Sequence, residues 1–225
     1  MQRCFGAGLS SLFGTMDTRA RFKPIGKVRC TTEKEVILCN LSIKREVFNR
    51  YEGFDERLYP NEENEFLNRL TSNGERIIYD PDLRVSRNNR GNLRQFIKQI
   101  FNYGRGRGEH YVLKPRFTKP LFFLPSVFIV YLLSLAFFHP YWYTAPFFAY
   151  LLLASFFAAA SAVEGRNTWL LFVMPFIFTI MHVSYGVGIL WGCLKGFDKK
   201  KTGEAPVRTK INIVSAKGFN SGYAF

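Results

Sequence analysis

The chain has 225 residues, and its 31 lysines and arginines against 17 aspartates and glutamates give a formal net charge of +14 at pH 7. Apolar residues are concentrated in the second half, where Lys119, Glu164, Arg166 and Lys195 are the only formally charged residues over positions 119–195. This composition argues against a single water-soluble domain. Basic residues cluster at both edges of the apolar stretch, which favours anionic lipid headgroups over nucleic acid as the charged partner.

Residues 1–90 have the composition of an ordinary soluble protein and predict a mixed α/β order. The apolar, β-branched run EVILCNLSI, residues 35–43, predicts a buried strand, and KREVFNRY after it predicts a short helix. A second strand is predicted from Arg76 to Tyr79, where an Asp-Pro pair stops it.

The four cysteines, Cys4, Cys30, Cys39 and Cys193, have neither CxxC spacing nor a partnering histidine cluster. This pattern is typical of free thiols in a reducing compartment, and it predicts no metal site.

Three glutamates lie close together in LYPNEENEFLNRL, residues 58–70. An asparagine suited to N-capping precedes them and an Asn-Gly pair follows, so the pattern predicts a helix over residues 62–72. On this helix Glu63 shares the azimuth of the apolar residues, at the end where the helix begins. Glu65 lies on the opposite side and is predicted to form an exposed pair with Arg69.

Two roles for Glu63 are open from this pattern alone. A carboxylate that points inward at a helix N-terminus is suited to accepting a proton from a bound hydroxyl. In the alternative, all three glutamates only start the helix and interact favourably with its dipole.

Residues 91–118 are predicted to form an interfacial amphipathic helix and a basic loop. The helix is GNLRQFIKQIFNYG, residues 91–104, and its apolar face would contact lipid or the first membrane span. The alternative is a helix packed in a soluble core. The alternating Gly and Arg of YGRGRGEH, residues 103–110, are predicted to end the helix. Its arginines would hold phosphate oxygens, or the segment is a flexible basic loop.

Three apolar runs, residues 119–139, 143–163 and 168–195, are each long enough to cross roughly 30 Å of hydrocarbon, which takes about 20 helical residues. The sequence therefore predicts about three transmembrane helices, followed by a basic tail over residues 196–225. Residues 1–118 are expected on the cytoplasmic side.

Two stretches resemble the C-terminal half of a family-2 glycosyltransferase catalytic domain, in the membrane-bound branch near succinoglycan-type exopolysaccharide glycosyltransferases. They are SIKREVFNRYEGFDERLYPNEENEFLNRLTSNGERIIYDPDLRV and RGNLRQFIKQIFNYGRGR. The matching elements are the basic start KREVF, the GFDE turn, the acidic pair that opens a helix, the YDP strand end and the final YGRGR. The ending HVSYGVGILWG of the last apolar run fits the same branch, and the resemblance covers about residues 5 to 195.

The resemblance implies an α/β fold, the acceptor half of a GT-A-like nucleotide-diphospho-sugar transferase domain. It implies inverting transfer from a nucleotide-sugar, with a divalent Mg or Mn ion, to a glycan or lipid-linked acceptor at the bacterial inner membrane. The second acid of the pair is the family's catalytic base and falls on Glu63. Substrate contacts, to donor diphosphate or to the growing glycan, are implied for Glu62, Gln99, Tyr103, Arg105 and Arg107.

The chain departs from the family pattern at three positions. The base is usually Asp, and Glu63 is longer by one methylene. Glu52 stands where the family tends to have Gly. Asn102 stands where related synthases have Arg, so that diphosphate contact would come from Arg105 or Arg107.

A larger departure is the absence of the family's N-terminal half, with the nucleotide-binding units and the Asp-x-Asp that holds the metal. The expectation is therefore a fragment, a decayed copy, or a split subunit whose donor-binding half is a separate chain. The alternative function is a catalytically silent membrane protein that assembles with a polysaccharide synthesis or export system.

Overall fold

The computed structural model describes residues 1–115, 120–138 and 140–202. Helices predominate among these residues, and the described strands are β1 (Arg29–Thr31) and β2 (Ile77–Tyr79). Short 3-10 turns lie between several elements. The α-helices are α1 (Gln2–Ser10), α2 (Leu12–Thr15), α3 (Arg45–Arg50), α4 (Glu62–Ser72), α5 (Leu93–Leu113), α6 (Leu124–Ser134), α7 (Tyr141–Glu164) and α8 (Trp169–Lys201).

The two described strands form an antiparallel pair in which Arg29 faces Tyr79. The strand predicted from Arg76 to Tyr79 is confirmed as β2. The strand predicted over residues 35–43 is wrong, because a 3-10 turn at Leu38–Asn40 interrupts this segment. Its apolar sequence has β propensity, but a strand also needs a hydrogen-bonded neighbour, and β2 pairs with β1. The α/β class of residues 1–90 stays a prediction.

A small core holds α3 and α4 against β2. Phe48 and Phe66 are buried, with Phe54 packed against them, and ring centroids in this group lie 5.1–5.3 Å apart. The short helix predicted over KREVFNRY, residues 44–51, is confirmed as α3, and the helix predicted over residues 62–72 is confirmed as α4. This core fixes the start of α4 relative to the rest of the chain.

The most extensive packing between two described elements is between α5 and α8, which run side by side in the same direction. A Cβ added at Gly104 would overlap the backbone at Tyr185 and Ile189, and one at Gly192 would overlap the carbonyl of Arg105. Glycines on both helices therefore let the two backbones touch, which is the small-residue packing known from membrane helix pairs.

This contact explains why α5 does not end where the sequence predicts. Glycine in a helix interior costs about 1 kcal/mol relative to alanine, so the GRGRG stretch predicts a break. In the structure the helix continues to Leu113, and Gly104, Gly106 and Gly108 are buried. The packing against α8 offsets the low propensity of these glycines. The loop predicted over residues 103–110 is wrong.

Two described helices, α7 and α8, are long and apolar enough to cross a membrane. They correspond to the second and third predicted spans, although α8 extends further, to Lys201. The described helix of the first predicted span, α6, has 11 residues and is shorter than the roughly 20 that a span needs. Residues 116–119, 139 and 203–225 lie outside the described residues.

Residues from the first 110 positions of the chain lie beside both ends of α8. Next to its start, the Glu164 carboxylate at the end of α7 pairs with Lys23 at 2.7 Å. Near its end, Lys199 Nζ pairs with Glu109 at 2.5 Å and donates to the carbonyl of Arg57 at 2.7 Å. Residues 4–22 cover the length between, where Phe13 packs on α7 and α8.

The α5–α8 contact predicts a large effect of a single methyl group. Gly192→Ala should destabilise the fold by about 1–3 kcal/mol, because its Cβ meets backbone that cannot rotate away. Gly91→Ala is the matched control, since an added Cβ there has only the flexible Gln95 side chain at 3.9 Å. The measurement is the apparent melting temperature in detergent, and an equal shift in both variants would contradict the contact.

The positions of the two ends of α8 predict which side of the membrane they face. We expect Thr168→Cys, in the exposed connection before α8, to have the same side accessibility as the exposed native Cys30. The measurement is labelling of intact cells with a membrane-impermeant maleimide, with the other cysteines replaced by serine. If only one of the two positions is labelled, the connection before α8 and Cys30 lie on opposite sides of the membrane. That result would contradict the Lys23–Glu164 contact, because α7 would then cross the bilayer.

Candidate functional site

The site is built around the first turn of α4. Asn61 precedes the helix, but its side chain does not cap it, contrary to the sequence-based prediction. Its Nδ2 donates to His110 Nδ1 on α5 at 2.8 Å, and its Oδ1 accepts from Asn64 Nδ2 at 2.7 Å. Asn61 therefore links the start of α4 to α5.

The same hydrogen-bonded chain ends at Arg21. The Asn64 Oδ1 accepts from Arg21, whose guanidinium also donates to the backbone carbonyls of Glu33 and Lys34. His110 at the other end stays neutral, because burial and the nearby Arg107 charge lower its pKa to about 4. A chain of three side chains, Asn64, Asn61 and His110, together with two backbone carbonyls, thus holds Arg21 in one orientation.

Glu63 is half-buried in the first turn of α4. Burial raises the pKa of Glu63 above its ordinary value, while its own backbone amide and the charges of Arg21 and Arg107 partly offset that effect. A carboxylate with a raised pKa holds a proton more readily, which suits a general base better than an ordinary surface glutamate.

Glu62 is half-buried beside Glu63. Burial, followed by the Glu63 charge, raises the pKa of Glu62, with its own backbone amide acting in the opposite direction. Its Oε2 is buried and has no hydrogen-bond partner among the residues that the structure describes. The two acids thus lie together where the ionised form of each is disfavoured.

Glu65 is in a different environment from the one predicted. Its pair with Arg69 is present at 3.1 Å, but Glu65 is fully buried rather than exposed. The Arg69 guanidinium also binds the carbonyls of Tyr51 and Gly53, and Lys114 Nζ lies 2.5 Å from Glu65. Burial alone would raise the pKa of Glu65, but the hydrogen bonds and positive charges of Arg69 and Lys114 outweigh burial and lower the pKa.

On α5, Gln99, Tyr103 and Arg107 follow one another at four-residue intervals and so lie on one face. Gln99 Nε2 donates to the Tyr103 hydroxyl at 2.8 Å, and Gln99 Oε1 accepts from Arg90 at 3.1 Å. This row ends at Arg107, the member whose charge acts on Glu63.

Arg105 lies on the other side of α5. Its Nε is 3.6 Å from Glu109, and its backbone contacts α8 at Gly188 and Gly192. The structure therefore separates Arg105 from the other predicted site residues, which leaves Arg107 as the arginine of this segment at the site.

Sequence reasoning did not find Arg21. It lies far from the glutamates in the chain, in a 3-10 turn with no recognisable motif, and another basic turn residue, Arg19, lies two positions before it. Only the folded contacts with Asn64 and Glu33 reveal it.

A surface cavity of about 370 Å³ lies among Met16, Asp17, Arg19, Thr31 and Glu35, with no predicted site residue in its lining. Among residues 1–115, 120–138 and 140–202, no group of three or more histidines, cysteines, aspartates or glutamates could hold a metal ion. The described residues therefore do not fit the divalent metal that the resemblance implies.

Comparison with protein-family models, with curated proteins and with solved structures found no match to this chain.

The opposite environments of Glu63 and Glu65 predict opposite effects of pH on stability. A raised pKa means that wild-type protein loses stability as pH rises from 4.5 through the folded pKa of Glu63. A lowered pKa means that Glu65 contributes stability above 4.5, which is lost as pH falls through its folded pKa.

We therefore expect Glu63→Gln to melt at or above the wild-type temperature at pH 7.5 and Glu65→Gln to melt below it. Both differences should shrink toward pH 4. The measurement is the apparent melting temperature in detergent across this pH range, and the same sign for both variants would contradict the two environments.

Proposed function

We propose that this chain is part of a membrane-bound glycosyltransferase, of the family-2 kind, that transfers a sugar from a nucleotide-sugar to a glycan or lipid-linked acceptor in polysaccharide biosynthesis. The observation that carries the proposal is Glu63, a half-buried carboxylate in the first turn of α4 whose pKa is raised by burial, with the charges of Arg21 and Arg107 acting on it in the opposite direction. The family's base falls on this residue in the sequence resemblance.

In this proposal Glu63 takes the proton of the acceptor hydroxyl, and the hydroxyl oxygen attacks the anomeric carbon of the donor sugar. The bond from that carbon to the diphosphate breaks on the opposite side, so that configuration inverts. Arg21 and Arg107 offset the negative charge that the diphosphate carries away. Gln99 and Tyr103 support the row that ends at Arg107.

The donor would be held by groups that the described residues lack, together with a Mg or Mn ion, and we propose that another polypeptide supplies them. This chain supplies the acceptor side. The apolar helices α7 and α8 would anchor it at the bacterial inner membrane, with residues 1–113 on the cytoplasmic side, where nucleotide-sugars are available.

The proposal predicts a large loss of turnover when the Glu63 carboxylate is replaced by an amide. In an assembly made active by a donor-binding partner, Glu63→Gln should lower turnover by roughly 10²- to 10⁴-fold, the usual contribution of positioned general-base catalysis. The acceptor KM should change little, because the lost interaction acts mainly in the transition state. Glu63→Asp should retain more activity, since the shorter acid is the family norm.

Glu46→Gln is the matched control, because Glu46 also lies in the first turn of a helix but is exposed. It should leave turnover within about twofold. Equal small effects at both positions would withdraw the catalytic role of Glu63. If no assembly with a donor-binding partner shows any turnover, that result would favour a catalytically silent membrane protein over a glycosyltransferase.

A further inference from the structure

Polar parts of the chain accompany α8 along its whole length. The helix has 33 residues and is therefore about 50 Å long, against roughly 30 Å for the hydrocarbon of a bilayer. Next to its start Lys23 pairs with Glu164, and near its end Lys199 pairs with Glu109. Between these two ion pairs, α1 and α5 pack against α8. If α8 crossed the bilayer, it would carry these neighbours into the hydrocarbon.

The exposed side of α5 carries positive charge beside the middle of α8. A Cβ added at Gly104 would overlap the α8 backbone between residues 185 and 189. Lys98 precedes Gly104 by six residues, and both helices rise about 1.5 Å per residue in the same direction, so Lys98 is level with residues 179–183. Arg94 lies one turn earlier, and both side chains are exposed. Exposed charges at the centre of a bilayer are costly, so this register does not fit a spanning α8.

The open side of α8 is apolar along the same length. With Phe172 at zero and about 100° per residue, the buried Met174, Met181 and Gly192 lie on the far side, at about 180–200°. The exposed apolar side chains within about 60° of zero are Phe172, Phe176, Val187, Leu190, Leu194 and Phe197. One side of α8 therefore faces the protein and the opposite side is open and apolar. This is the pattern of a helix that lies in the plane of a membrane interface.

The exposed surface of α7 is also apolar, over a wide arc. Only Ala154 and Ala158 are buried among its 24 residues. The exposed Phe148, Leu151 and Leu153 spread over about 200° of its circumference. An apolar surface of this extent is unfavourable in water and favourable among acyl chains. Of the described helices, α7 is therefore the one expected to lie deepest in lipid.

Two neighbouring side chains mark the edge of this apolar surface. Lys195 Nζ lies 5.9 Å from the centre of the Trp191 ring, and both residues are exposed. Tryptophan favours the level of the lipid headgroups, and a lysine beside it keeps its charge in water or pairs with an anionic headgroup. The open side of α8 thus meets the headgroups at this edge.

We propose that the chain binds one face of the membrane without crossing it. α8 lies in the plane of the interface, α7 and the open side of α8 lie among the acyl chains of the nearer leaflet, and α5 with the polar site lies on the water side. The partner is a leaflet that contains anionic phospholipid. The inference deepens the membrane anchoring of the proposed function and rests on that anchoring alone. Its tests measure no sugar transfer, so it and the catalytic role of Glu63 can fail separately.

The first test compares two exposed positions, one on α5 and one on α7. Lys98→Cys and Phe148→Cys are placed in chains whose native cysteines are serine, and a membrane-impermeant maleimide is added to intact cells and to inverted membrane vesicles. Lys98→Cys should react at the rate of a chain that keeps only Cys30, and from the same side. Phe148→Cys should react at least about tenfold more slowly from either side, because hydrocarbon excludes both the thiolate and the charged reagent.

Both alternatives to the proposal give a different pattern of labelling. If Lys98→Cys is as protected as Phe148→Cys, α8 crosses the bilayer and the proposal is overturned. If both positions react at the Cys30 rate, the apolar helices do not enter lipid, which also overturns it. Both side chains are exposed in the structure, so neither substitution removes a packing contact.

The second test measures depth along α8 in vesicles of phosphatidylethanolamine and phosphatidylglycerol. A fluorescent label is attached to Phe176→Cys, Val187→Cys or Leu194→Cys, positions that lie within about 20° of one another around the helix. Quenching by lipids with a nitroxide near the headgroup or near the chain end should give the same depth for all three. A Val187 label about 10 Å deeper than the Leu194 label, the rise of seven helical residues, would overturn the proposal, as would the absence of quenching.

Discussion

The direct backbone contact between α5 and α8 is the constraint on which the rest of the structure depends. Glycines at 104, 108, 188 and 192 leave no side chain between the helices, so α5 stays helical through a segment of low helix propensity. Because α5 continues, Arg107 and His110 reach the start of α4. The apolar helices and the polar site are therefore parts of one packed unit, and the Lys199–Glu109 pair closes its far end.

Two glutamates in one helix show how environment divides the roles of identical side chains. Glu65 is fully buried between Arg69 and Lys114, and its charge is matched by partners that hold the helix against the preceding turn. Glu63, two positions earlier, is half-buried with cations nearby, yet burial dominates and raises its pKa. A paired carboxylate stabilises a fold, whereas a carboxylate that is incompletely matched can exchange a proton. The second environment is the one that general-base chemistry needs.

Local sequence signals predicted what depends on local interactions. The bounds of α4, the short helix α3 and strand β2 follow from stop signals and apolar spacing. The same helical geometry predicted Glu63 on the buried face of α4 and Glu65 on the exposed face, whereas Glu63 is half-buried and Glu65 is fully buried. Features set by distant contacts were not predictable from one sequence. The burial of Glu65 depends on Lys114, the length of α5 depends on glycines in α8, and Arg21 joins the site through Asn64. Each of these contacts joins residues far apart in the chain, where composition and periodicity carry no information.

The proposed function depends on Glu63 being a half-buried carboxylate whose ionised form is disfavoured by burial and favoured by the charge of Arg107. The most direct measurement is the carbon-13 NMR titration of the glutamate side-chain carboxyls, with the Glu63 signal assigned by its disappearance in Glu63→Gln. The account predicts a midpoint above the ordinary 4.5 in the wild-type chain, and a further rise when Arg107 is replaced by Gln. A midpoint at or below 4.5 that does not respond to Arg107 would contradict the account, because Glu63 would then be an ordinary solvated acid at the start of a helix.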